Sequence, residues 1–149
     1  MVGTGPREEN LLGAWELEAW RIVYSDGRPT SYPYGEDARG WLLYERSGRM
    51  SATIGNAERP RMSQENVRLA PVEEKAAAFD SLLHYGGTWH IDGSRVVHEV
   101  DYALNPNFPG TQQVREVELR APDGLVLSAE TTSMSGATIR HELIWRRVG

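Results

Sequence analysis

His98, Tyr102, Gln113 and Arg115 are the residues whose types and spacing could do chemistry. They fall in two alternating segments joined by the stiff loop Asn105-Pro-Asn-Phe-Pro-Gly110. Side chains two apart on a strand share a face. That parity sets His98 and Tyr102 beside Val100 and Leu104, and Gln113 and Arg115 beside Val117 and Leu119. An imidazole, a phenol, an amide and a guanidinium therefore share an expected apolar interior. Buried polar groups must be satisfied by each other, by water or by a ligand, so the pattern points to a cavity that recognises a small molecule.

The roles open to each follow from its chemistry. His98 could act as acid or base near pH 7, or be held by a side chain of a neighbouring strand as a structural group. Arg115 could bind a carboxylate or enolate as a fixed cation, or pair with a buried acid. His141 shares parity with Ile139, Leu143 and Trp145 and is expected inward, as a core group or a ligand contact. Tyr102 and Gln113 offer hydrogen bonds near the pocket, and Tyr44 and Tyr85 are placed at its mouth. Phe108 either caps the cavity or belongs to a rigid connection whose two prolines fix the backbone. His84 and His90 are expected in solvated positions.

Other chemistries drop out. The chain has no cysteine, which removes disulfides, thiolate nucleophiles and cysteine metal sites. Lys75 is the only lysine and sits in a charged helical turn, a poor place for a Schiff base. No His-x-His or His-Glu-x-x-His occurs. His98-Glu99 and His141-Glu142 are adjacent strand residues, so each pair faces opposite ways and cannot chelate. No metal site is expected, and no cofactor is implied. Nucleophile-elbow, phosphate-loop and dinucleotide patterns are missing.

The elements that must position these residues are short strands. Turn signals recur at Ser25-Asp26-Gly27, Ser47-Gly48, Asp92-Gly93, Pro122-Asp123-Gly124 and Ser135-Gly136. Between them lie eight alternating segments, near 15–24, 40–44, 49–54, 88–91, 95–104, 112–119, 125–132 and 137–148. About eight strands in an antiparallel meander imply a sandwich or a closed barrel, and eight close around one small ligand. The first strand changes phase: Trp15 and Leu17 have one parity, Trp20, Ile22 and Tyr24 the other. A bulge near Glu18 and Ala19 would restore one inward face and put Trp20 on the cavity; a strand apolar on both faces is the alternative. One helix is expected over 72–83, after Pro71 and stopped by Gly86-Gly87, with Val72, Ala76, Phe79, Leu82 and Leu83 as its stripe against the barrel. The polar segment 56–70 before it reads as a long loop or lid.

At 149 residues the chain fits one domain. Its net charge of -5, with no basic run, argues against nucleic acid. Its first ten residues lack a signal pattern, and no long apolar run suggests a membrane; a cytoplasmic location is expected. Trp41 and Leu43 could form a homodimer patch.

Several stretches together resemble the short lipocalin-like domain family of bacteria and fungi. They are Leu11-Leu12-Gly13-Ala14-Trp15-Glu16-Leu17, Tyr34-Gly35-Glu36-Asp37-Ala38-Arg39-Gly40, Gly48-Arg49-Met50-Ser51 and Glu73-Glu74-Lys75-Ala76-Ala77-Ala78-Phe79-Asp80, with His98, Pro106-Asn107, Gly110-Thr111 and Arg115. Gly13-Ala14-Trp15 with the late Leu143-Ile144-Trp145-Arg146-Arg147 is similar to the lipocalin Gly-x-Trp, on whose indole a late arginine packs. The resemblance implies an all-β, antiparallel lipocalin-like β-barrel of about eight strands, with one α-helix packed on or across it and an apolar-lined cavity. Some members resemble proteins encoded beside natural-product pathways, where such barrels can act as cofactor-free cyclases or isomerases. The leading expectation is binding of a small, largely apolar molecule; the sharper one, motivated by the polar cluster on an apolar face, is isomerisation or cyclisation with His98 moving a proton and Arg115 stabilising negative charge. The alternatives are a non-catalytic carrier or sensor, a filled structural barrel, or a nitrobindin-like haem barrel with an interior histidine on the iron.

Overall fold

A computed structural model describes residues 5–149; residues 1–4, part of the segment read for a signal, lie outside the described residues. Eight antiparallel strands run in chain order around a closed barrel: β1 (Gly13–Tyr24), β2 (Arg39–Tyr44), β3 (Arg49–Gly55), β4 (Leu82–Asp92), β5 (Arg95–Ala103), β6 (Gln112–Arg120), β7 (Gly124–Thr132) and β8 (Thr138–Arg147). The short turns at Gly48, Gly93 and the Pro122 region lie at one end. The long connections 25–38, 56–81 and 104–111 lie at the other, which makes that end the mouth. Closure pairs β1 with β8 and satisfies every strand edge.

The expected bulge is present. The pairing of β1 with β8 shifts register between Leu17 and Ala19, so Glu18 is the extra residue and Trp15, Leu17 and Trp20 all turn inward. At the closed end a short helix, α1 (Glu8–Leu11), plugs the barrel with Leu11, which is fully buried. Gly13 starts β1 with φ of 118°, and a Cβ there would strike the Gly149 carbonyl oxygen. The glycine of the Gly-x-Trp is thus a packing requirement.

The second helix departs from expectation. α2 (Val72–Asp80) stops before Leu82 and Leu83, which open β4 instead. Its expected stripe is largely unburied: Val72 is 76% exposed and Phe79 47%. Gly86-Gly87 does not end the helix. It lies inside β4, where a Cβ on Gly87 would collide with the Glu99 carbonyl oxygen of β5. The register of β4 against β5 shifts at this close approach, leaving Asp101 as the extra residue between Val100 and Tyr102. No helix of the described residues is long and apolar enough to cross a membrane.

Candidate functional site

The upper half of the barrel encloses a cavity of about 220 Å³. Its walls are mostly apolar: Leu42, Ala52, Ile54, Leu83, Phe108, Leu127, Ala129 and Leu143, with Trp20 and Trp145. The polar residues on its lining are Tyr85, His98, Gln113, Arg115 and His141, and no carboxylate is among them. The strand parity of β5, β6 and β8 delivers these groups to one space because barrel closure aims all inward positions at a common axis.

His98 lies near the centre of the arrangement, 2% exposed on β5. Its Nε2 is 2.6 Å from the Tyr44 hydroxyl of β2, and its Nδ1 is 2.7 Å from the Tyr85 hydroxyl of β4. Both ring nitrogens are therefore occupied. Burial pushes the His98 pKa down to about 3, helped by the Arg115 charge, so the ring is neutral over the ordinary pH range. The same burial raises both phenols, Tyr44 well above its ordinary value and Tyr85 to about 12. Tyr44 packs its ring on Trp89, at 4.6 Å between centroids, and is sealed away from the cavity. The expectation that Tyr44 and Tyr85 sit at the mouth is corrected: they clamp His98 in the interior, and Tyr85 alone of the two lines the cavity.

Arg115 points inward from β6 opposite Val96, which is fully buried. It forms no ion pair among the described residues. Its hydrogen bond is from Nη1 to the Val114 carbonyl at 2.9 Å. Gln113 beside it donates to Thr111 Oγ1 at 3.1 Å. Across the barrel, His141 Nδ1 accepts from Trp20 Nε1 at 3.3 Å, which leaves the neutral ring's proton on Nε2. Burial, then the Arg115 charge, lowers the His141 pKa. Trp145 is 1% exposed, and its Nε1 is the one buried side-chain nitrogen or oxygen without a hydrogen-bond partner among the described residues.

Tyr102 does not reach this space. The extra residue Asp101 reverses the strand parity, so Ala103 faces Tyr85 while Tyr102 stands outside, 80% exposed. Leu104, expected on the same inward face, is 38% exposed for the same reason. Phe108 reaches the cavity and meets Tyr85 edge to face at 5.9 Å. His84 is not simply solvated: it is half-buried and hydrogen-bonds Thr53 Oγ1 at 2.9 Å. No cluster of three His, Asp or Glu able to hold a metal occurs among the described residues.

A family model for a lipocalin-like domain matches residues 12–148. The chain belongs to the lipocalin-like domain family. No curated protein matches it. Among solved structures, an uncharacterised protein from Bacteroides eggerthii is similar at 12% identity and a TM-score of 0.44, covering 92% of this chain and 98% of that one. A redesigned β-barrel is similar at 11% identity and a TM-score of 0.43, covering 99% of this chain and all of the other.

Within this lipocalin-like barrel, Trp145 is the cavity residue that sequence reading passed over as a site candidate. Its parity with His141 and Leu143 was visible, but an indole on an apolar face reads as core. Only the absence of an acceptor near Nε1 sets it apart. The pairing of His98 with Tyr44 and Tyr85 had no sequence signal either, because the partners stand 54 and 13 positions away.

Proposed function

We infer that the protein binds a small, largely apolar organic molecule in the barrel cavity. The observation that carries this reading is Arg115, a guanidinium without an ion-pair partner among the described residues that lines a mostly apolar chamber. A half-buried cation facing an apolar wall without an acid is unfavourable, and an anionic or electron-rich ligand is the natural relief. The chamber of about 220 Å³ lies below the roughly 300–1,000 Å³ of pockets for drug-sized ligands. The ligand is accordingly compact. The lipocalin-like fold, which suggests small hydrophobic ligands, supports the same reading. Two features weigh against a haem: the chamber is small, and both ring nitrogens of His98 are engaged by tyrosines.

The sharper form of the reading is cofactor-free isomerisation or cyclisation. The cavity walls would hold a flexible substrate in a reactive conformer, and Arg115 would stabilise negative charge developing on oxygen. The proton would move at the Tyr85 hydroxyl with His98 behind it, rather than at His98 directly. A carrier needs only the binding half of this account.

Native mass spectrometry of the protein from its own cells, beside Ala129→Trp, which fills the chamber, tests the reading. The expected result is a stoichiometric organic adduct on the wild type that the variant lacks. An adduct retained unchanged by the filled barrel, or none on the wild type, would sink it. For the catalytic form, Arg115→Met with an unchanged circular dichroism spectrum should turn over the retained molecule about 10²–10³-fold more slowly.

A further inference from the structure

The triad of Tyr44, His98 and Tyr85 fixes more than its own geometry. A neutral imidazole has one donor nitrogen and one acceptor nitrogen, and here each faces a phenol, at 2.6 Å on Nε2 and 2.7 Å on Nδ1. One tyrosine must therefore donate into the ring and the other accept from it. The tyrosine that accepts keeps its own hydroxyl proton for some third group. The two arrangements are not equivalent. If Nε2 carried the proton, Tyr44 would accept it, and the Tyr44 O–H would need another acceptor. Among the described residues His98 is the only hydrogen-bond partner of that hydroxyl, which is buried and off the cavity lining. A buried donor left unmade costs its full desolvation. If instead Nδ1 carries the proton, Tyr44 donates to Nε2 and is satisfied. Tyr85 then accepts from Nδ1 and turns its own O–H away from the ring, and Tyr85 lines the cavity.

We propose that His98 is held as the Nδ1–H tautomer, that Tyr85 thereby presents its hydroxyl proton to the cavity, and that the ligand is a compound with a carbonyl or carboxylate oxygen on a compact apolar body. This deepens the binding reading above and rests on it. The remaining groups of the lining agree. Arg115 donates, and His141 has its proton on Nε2 once Nδ1 accepts from Trp20. Among the described residues no carboxylate lines the chamber, and the acceptor left on the side chains is the Gln113 carbonyl. A lining so rich in donors selects acceptors and rejects ammonium groups, which would face Arg115 without an anion. The neutrality of His98 keeps the tautomer fixed across ordinary pH.

Four probes with one body separate the outcomes: cyclohexanecarboxylate, cyclohexyl methyl ketone, cyclohexylmethylamine and methylcyclohexane, titrated into the full chain. Trp20 and Trp145 line the cavity, so intrinsic fluorescence reports entry, and calorimetry checks it. Carboxylate and ketone should bind at least tenfold more tightly than methylcyclohexane, with the amine weakest. Equal affinity for methylcyclohexane or the amine overturns the acceptor proposal while leaving cavity binding intact. Failure of all four to enter overturns cavity binding and the proposal with it. Tyr85→Phe should weaken the ketone about tenfold and leave methylcyclohexane unchanged; equal loss of both would mean a role in shape only. Independently of any variant, ¹⁵N correlation spectra of the His98 ring in the wild type should show a protonated Nδ1, and a protonated Nε2 would overturn the tautomer assignment.

Discussion

The closed end of the barrel and the cavity above it use the same pair of residue types, an arginine and a tryptophan, in opposite ways. At the closed end Trp15 Nε1 donates to the Leu11 carbonyl at 2.9 Å, and the Arg147 guanidinium lies 4.2 Å from the centre of the Trp15 ring. Arg147 also donates to the carbonyls of Leu12 and Asn10, the latter at 2.6 Å. The indole nitrogen and both Nη nitrogens there have protein acceptors. In the cavity, Trp145 Nε1 has none, and Arg115 has only the carbonyl of its sequence neighbour. The difference separates structure from function on physical grounds. Satisfied polar groups hold the fold, while an unpaired cation on a mostly apolar cavity wall costs stability and is explained by what it recognises.

The largest effect that would test this contrast is at the closed end. Trp15→Ala removes a buried indole, its hydrogen bond and the arginine's stacking surface, and should cost about 3–5 kcal/mol in urea unfolding. A loss below about 1 kcal/mol would mean that the Gly-x-Trp belt is not the structural anchor described.

A second test concerns His98. Its folded pKa of about 3 lies below the unfolded value near 6.5, so the unfolded chain binds the extra proton between those limits. The contribution of this group is whole above about pH 6.5 and falls as the pH drops toward 3, with a slope of up to about 1.4 kcal/mol per unit. Denaturation curves for wild type and His98→Gln at pH 7, 5 and 4 should converge on acidification, because the glutamine does not titrate. Parallel curves would show that the imidazole is not held neutral by its burial.

The smallest effect sharpens the comparison most. Trp15→Phe and Trp145→Phe delete the same atoms from equally buried sites. Only the first breaks a hydrogen bond, so it should be the more destabilising by about 1 kcal/mol. Equal losses would indicate that the Trp145 N–H is no worse satisfied than its counterpart.

Much of the barrel was legible in the chain. Turn residues at short spacing marked the hairpins, and the phase change between Leu17 and Trp20 marked the β1 bulge, because side-chain parity on a strand is a strict period of two. The same rule failed at Tyr102, where Asp101 slips the register beside Gly87; the bulge sits where the bare Gly87 backbone lies close to Glu99 of the partner strand, a tertiary feature that no local pattern encodes. It failed again at Leu82 and Leu83, which continued a helical spacing and were taken up by β4.

For the site, alternation alone determined that His98, Gln113, Arg115 and His141 turn inward, since facing follows from parity once a strand exists. What each group does was decided by tertiary structure. Only barrel closure sets Tyr44 and Tyr85 on the two nitrogens of His98, leaves Arg115 without an acid and leaves Trp145 without an acceptor. Hydrogen-bond satisfaction is a property of neighbours brought together from distant strands, and a one-dimensional pattern holds no record of it.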